Sequence, residues 1–150
     1  MADDLFRPTV RERPVPGKRP WRPESIFYPA FFGGPLAAAT LGVLNGRRLR
    51  LPGARIALIA VAGLVAFGIR VALSLWLADG NSGIRLAGSV TGALTWLAVL
   101  YVERRPFRAY TFADGEPASL VGPGIIAALG CGMVEALAIL GLLAITGSAT

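Results

Sequence analysis

Residues 117–150 carry a single charged side chain, Glu135. Three further stretches are as bare: residues 25–46 and 86–102 hold no charge, and residues 56–78 hold only Arg70. These four blocks constrain the fold more than any motif does. Blocks of about 17–25 apolar residues match a hydrocarbon core roughly 30 Å thick, at a helical rise of about 1.5 Å per residue. A helix in a soluble bundle turns one polar face to water, so charged or polar residues recur every turn; these blocks lack that face. With 54% hydrophobic residues and a mean hydropathy of +0.59, the chain reads as an all-α integral membrane protein. The expected architecture is a small bundle of four membrane-embedded helical segments, about 25–45, 56–78, 85–103 and 119–147. At 150 residues these form one membrane domain, 24–150.

A net charge of +6 invites a nucleic-acid reading, but the placement of the charge argues against it. Arginine supplies all but Lys18 of the basic residues, and all but Arg70 and Arg85 gather in residues 7–22, 47–55 and 104–108, where Trp21 and Phe107 are the only aromatic residues and form no stacking array. Basic flanks beside apolar segments mark the cytoplasmic side of a membrane protein and meet anionic headgroups, so the expected partner is the lipid bilayer and no nucleic acid. Residues 1–23 hold five prolines and little apolar surface, and are expected to form a disordered cytoplasmic tail. Ser25 stands where a helix N-cap belongs. There is no histidine and one cysteine, Cys131, inside the last block. Zinc or haem ligation and a Ser-His-Asp triad are therefore excluded, and no catalytic residue, metal or other cofactor is expected. The acids of "FADGEP" (112–117) read as a solvated turn.

The first block, "SIFYPAFFGGPLAAATLGVLNGRRLR", is interrupted by Gly33, Gly34 and Pro35, which predict a break or kink. Phe32, Gly33, Gly34, Pro35, Leu36, Ala37, Leu41, Asn45 and Arg47 resemble the opening of small bacterial multi-pass membrane proteins that have no assigned activity. Their first segment reads Phe-Leu-Gly-Gly-Pro-Leu-Ala, then a short apolar stretch, Asn and a basic residue. The resemblance implies a bacterial inner-membrane protein and no particular chemistry. Topology stays open on sequence alone. If all four segments span, the basic residues outside the blocks divide seven against seven and give no orientation signal. If the first segment bends at Gly33–Pro35 and returns to its starting side, the division becomes thirteen against one, Arg85 standing alone. Insertion in both orientations is the third arrangement.

Arg70 and Glu135 are the two charges inside the blocks. Each costs about 2.5–3.5 kcal/mol at a helix centre on insertion-derived scales, so neither is expected to face lipid unpaired. They fall at nearly the same depth of segments that run in the same direction, and small residues flank both: Gly63 and Ala66 near Arg70, Gly132 near Glu135. Small residues let membrane helices approach closely, which predicts an Arg70–Glu135 ion pair between segments two and four. Gly88 and Gly92 form a GxxxG face on segment three for packing or self-association; Ser89, Thr91 and Thr95 are expected to bond back to their own helix. Trp76, Trp96 and Tyr101 suit an interfacial belt. The pair can serve as a register-fixing lock, a proton or ion relay, or a substrate-binding charge pair. The functional expectation is a non-enzymatic structural or accessory membrane protein, assembling with itself or a larger complex. The alternative is a small transporter or proton-coupled carrier using Glu135.

Overall fold

A computed structural model describes residues 17–77 and 81–147 of the chain. Four helices carry the fold: α1 (Phe27–Arg48), α2 (Gly53–Trp76), α3 (Asn81–Phe112) and α4 (Val121–Gly147). A 3-10 turn, Pro23–Ile26, leads into α1. Each of α2, α3 and α4, and the stretch Pro23–Arg48, is long and apolar enough to cross a membrane. Among the described residues the only β pairing is an isolated bridge, Trp21 to Ala118.

The first segment does not cross. A straight helix of 22 residues would separate its ends by about 33 Å. Instead the Asn45 amide holds the backbone of Trp21, six residues before α1 begins. It accepts from the Trp21 N–H at 2.7 Å and donates to the Trp21 carbonyl at 3.1 Å. The chain reverses at Gly34, where φ is 80° and ψ −170°, a region open essentially to glycine alone. Pro35 then starts the return arm, where its missing N–H costs no intrahelical bond. Contacts along α3 show the reversal directly. In the outgoing arm, the Trp96 indole N–H donates to the Pro23 carbonyl at 3.0 Å and Ser89 Oγ donates to the Phe31 carbonyl at 3.2 Å, so α1 advances as α3 recedes. In the return arm, Gly42 lies against Val99 and Asn45 against Glu103, so the two advance together.

Non-helical backbone at membrane depth is tolerated only where protein covers it. Here the cover is thorough. In the most apolar window of each segment, 61% of the residues of the hairpin are buried, against 33% for α3 and 11% for each of α2 and α4. Gly33, Gly34 and Pro35 are all buried. The backbone comes closest at Gly92, where a Cβ would collide with the Ala30 carbonyl, so that face of the "GSVTG" pair receives the hairpin. A core of Trp21, Ile26, Ala37, Leu41, Ile59, Val99, Leu120 and Ala127 closes around both arms.

With both ends of α1 at one end of the bundle, α2 and α4 leave that end and α3 returns to it. Every described basic residue outside the blocks except Arg85 lies at that end. The hairpin with its one-sided charge is therefore the arrangement the chain adopts, and segments two to four supply the crossings.

Four sequence expectations need correction here. The tail 1–23 was expected to be solvated throughout. Residues 1–16 lie outside the described residues, but Trp21 is 2% exposed and Pro23 is buried, because Asn45 and the Arg48 guanidinium, 3.6 Å from the Trp21 ring centre, dock them onto the bundle. The third segment was expected to end near 103, yet α3 continues through Pro106 to Phe112. Glu103 and Phe107 face inward while Arg104, Arg105 and Arg108 stay exposed, so an amphipathic extension takes over where the apolar block stops. Ser25 makes no capping bond; its place is inside the 3-10 turn. Among the belt candidates, Trp76 and Tyr101 are 80% and 85% exposed, whereas Trp96 packs inward on Phe27, with ring centres 5.0 Å apart.

Candidate functional site

The break in α1 creates two helix ends inside the apolar part of the bundle. The return arm starts there, so its first backbone N–H groups have no intrahelical carbonyl to meet, and a helix N-terminus favours an anion. Glu135 of α4 supplies it: the Leu36 N–H donates to Glu135 Oε1 at 2.7 Å. The other carboxylate oxygen, Oε2, is paired with Arg70 Nη1 from α2. Glu135 is fully buried and the Arg70 side chain is 14% exposed. One carboxylate thus joins α4 to α2 through charge and to α1 through the backbone.

The glycines shape the space for this group. A side chain at Gly34 would collide with both Arg70 Nη1 and Glu135 Oε2, so the positive-φ residue that turns the chain also vacates the volume the ion pair fills. Gly88 of α3 lies under the guanidinium, where a Cβ would be 2.8 Å from Arg70 Cζ. A Cβ at Gly132 would lie 3.6 Å from the Gly33 Cα, and Gly63 faces Ala39 and the Pro35 carbonyl. Ala66, one turn from Gly63 toward Arg70, is half-buried. The small residues on α2 and α4 were expected to let those two helices touch each other. Gly63 and Gly132 touch the hairpin instead, which packs on α2 and α4 far more extensively than those two helices pack on each other. The long Arg70 side chain crosses the gap that remains.

A second polar centre lies at the basic end, and it was not singled out from sequence. Asn45 Nδ2 donates to Glu103 Oε2 at 2.6 Å, and the same amide holds Trp21. Both Asn45 and Glu103 are fully buried. The signal for Glu103 was its register: Thr91, Thr95, Val99 and Glu103 recur every four residues, and that row of α3 faces the hairpin. Thr91 and Thr95 bond back to the carbonyls of Ala87 and Thr91, at 2.6 and 2.8 Å, as expected of hydroxyls inside a membrane helix; Ser89 instead reaches across to α1. Arg70 Nε, Ser74 Oγ and Glu103 Oε1 are buried without a hydrogen-bond partner among the described residues.

The chemistry open to this arrangement is charge compensation and positioning. Two surface clefts, of about 690 and 500 Å³, open near the basic end, and neither is lined by Arg70 or Glu135. Among the described residues no three His, Cys, Asp or Glu side chains gather closely enough to hold a metal ion. Comparison with protein-family models, curated proteins and solved structures finds no match to this chain.

Proposed function

We propose that this chain is a non-enzymatic inner-membrane protein of bacterial type, an accessory or assembly subunit whose re-entrant hairpin is locked by Arg70 and Glu135. One observation carries the reading. The two intramembrane charges are spent on each other and on the Leu36 N–H, inside the bundle, while the outer faces of α2 and α4 are left to the surroundings. A structural lock needs that sequestration; a relay or a substrate site needs a route to it. On α4 the exposed residues Gly130, Val134, Leu137 and Gly141 share one face, and a Cβ at either glycine would meet nothing within 4 Å. Close approach of another membrane helix uses such positions. The thirteen-to-one division of basic residues supports a cytoplasmic N-terminal end, and the Phe-Gly-Gly-Pro-Leu-Ala pattern followed by Asn45 and Arg47 supports the bacterial membrane.

The carrier reading built on Glu135 keeps one observation in its favour: Arg70 Nε and Ser74 Oγ are buried and unpartnered, one turn apart on α2, beside the carboxylate's partner. Glu135→Gln separates the readings. For a lock, the variant in detergent loses thermal stability and any assembly seen by cross-linking cysteines placed at 130 and 134 of α4. For a carrier, the fold and assembly persist while proton-coupled uptake into proteoliposomes stops.

A further inference from the structure

At the basic end the start of the outgoing arm and the start of α4 stand side by side, with Gly124 against Pro29. A cleft of about 690 Å³ lies there, between Tyr28 and Pro29 of the arm and Leu120, just before α4, with Gly124, Ile125 and Ala128 of α4. Its size falls in the range of small-molecule sites, about 300–1,000 Å³. Along α4 it runs from Leu120 to Ala128, about 12 Å by helical rise, which is close to one leaflet of a hydrocarbon core roughly 30 Å thick. Its wall is apolar over this length. Its mouth is polar: Arg22, Ser25 and Ser119 line it, and no acidic residue does. Arg22 is exposed and makes no ion pair among the described residues, whereas Arg19, three residues earlier, is paired with Glu116 at 3.0 Å.

We propose that this cleft is a binding site for one anionic phospholipid of the leaflet on the basic side. Its phosphate meets Arg22 and the Ser25 and Ser119 hydroxyls, and one acyl chain lies along Pro29, Gly124 and Ala128. The charge selects the headgroup and the depth selects a chain, so neither a zwitterionic lipid nor a soluble phosphate satisfies both ends. The site also gives the hairpin a lipid wall on a flank that protein leaves open. It holds whether or not α2 and α4 assemble with a partner.

The test uses the full chain, delipidated in mild detergent and offered phosphatidylglycerol, phosphatidylcholine of the same chains, or glycerol phosphate, with retained lipid counted by native mass spectrometry. One retained phosphatidylglycerol, preferred roughly fivefold over phosphatidylcholine as one basic side chain near an anionic surface provides, is the expected result. Arg22→Gln brings the two lipids to parity. Ile125→Trp, which fills the cleft from an exposed position, abolishes retention of both, and Val121→Trp serves if that variant does not fold. Arg104→Gln, at the same end but outside the cleft, leaves the preference intact. Equal retention of the two lipids by the native chain, retention undiminished in the cleft-filled variants, competition by glycerol phosphate alone, or loss of preference in Arg104→Gln would each overturn the proposal.

Discussion

Among the described residues the bundle buries two carboxylates, and their surroundings are opposite. Glu135 sits at the hairpin tip, roughly 21 Å along α4, with a guanidinium on one oxygen and a backbone N–H on the other. Glu103 sits at the basic end with a neutral amide on one oxygen and, among the described residues, no hydrogen-bond partner on the other. Yet both act on the same element. Glu135 holds the start of the return arm, and Glu103, through Asn45, holds its finish against Trp21. The difference follows from depth. At the tip Glu135 is fully buried in the apolar part of the bundle, so an ionised group there needs a full counter-charge. At the basic end exposed arginines and the membrane interface are one turn away, and a hydrogen-bonded amide suffices. The tip is therefore a lock that fails when either half is removed, and the base is a latch that tolerates a neutral substitute.

The largest effect expected is at the tip. Arg70→Ala and Glu135→Ala should each lower detergent stability by about 3–5 kcal/mol, the range for breaking a fully buried pair, reduced where snorkelling or water defects relieve the orphaned charge. The double variant Arg70→Leu with Glu135→Leu should recover much of that loss. Strictly additive losses in thermal unfolding would leave the lock without support.

Gly34→Ala comes next. The backbone there costs about 1–3 kcal/mol for a residue with a Cβ, and that Cβ strikes the ion pair as well. The result expected is a lowered unfolding temperature together with altered labelling of a cysteine at 40, on the return arm. A Gly34→Ala variant as stable as the native chain would mean that the reversal is made elsewhere.

At the base, Asn45→Ala strands the Trp21 N–H, the Trp21 carbonyl and Glu103 together, at about 1–3 kcal/mol for buried groups left unpaired. Limited proteolysis should then cut faster around residues 20–23, where Pro20, Trp21 and Pro23 are buried in the native chain. Glu103→Gln is the sharpest contrast with Glu135→Gln. It keeps an oxygen for Asn45 and puts a permanently neutral group where a buried carboxyl has no cation beside it, so stability should hold or rise, whereas Glu135→Gln should lose it. If the two Gln variants behave alike, the distinction between lock and latch is wrong.

The smallest perturbation tests the frame that contains both. Single cysteines at 17, 48 and 105 should label from the same side of the membrane, and one at 85 from the other. Opposite accessibility of 17 and 48 would make the first segment a crossing and dissolve the hairpin.

The sequence by itself determined the class, the number of helical segments and the depth of the charges, because these depend on lengths of uncharged chain and on residue counts along it. It also marked the break at Gly33, Gly34 and Pro35, since backbone freedom and a missing N–H are properties of the residues themselves. It left two arrangements of the first segment equally open, because hydropathy reports whether a segment prefers lipid and is silent on whether it returns. Only the tertiary structure decided that, by placing Asn45 beside Trp21 and bringing three other helices around the turn. The same holds for the small residues on α2 and α4. Their spacing said that something approaches closely, but the approaching surface proved to be the hairpin and not the opposite helix. Glu103 was legible as a charge at a block's edge and illegible as a buried group, since its burial depends on α3 continuing past its apolar stretch. Arg70 and Glu135 could be matched on depth alone; that Gly34 clears their space and the Leu36 N–H completes their bonding required a helix end that only folding places between them.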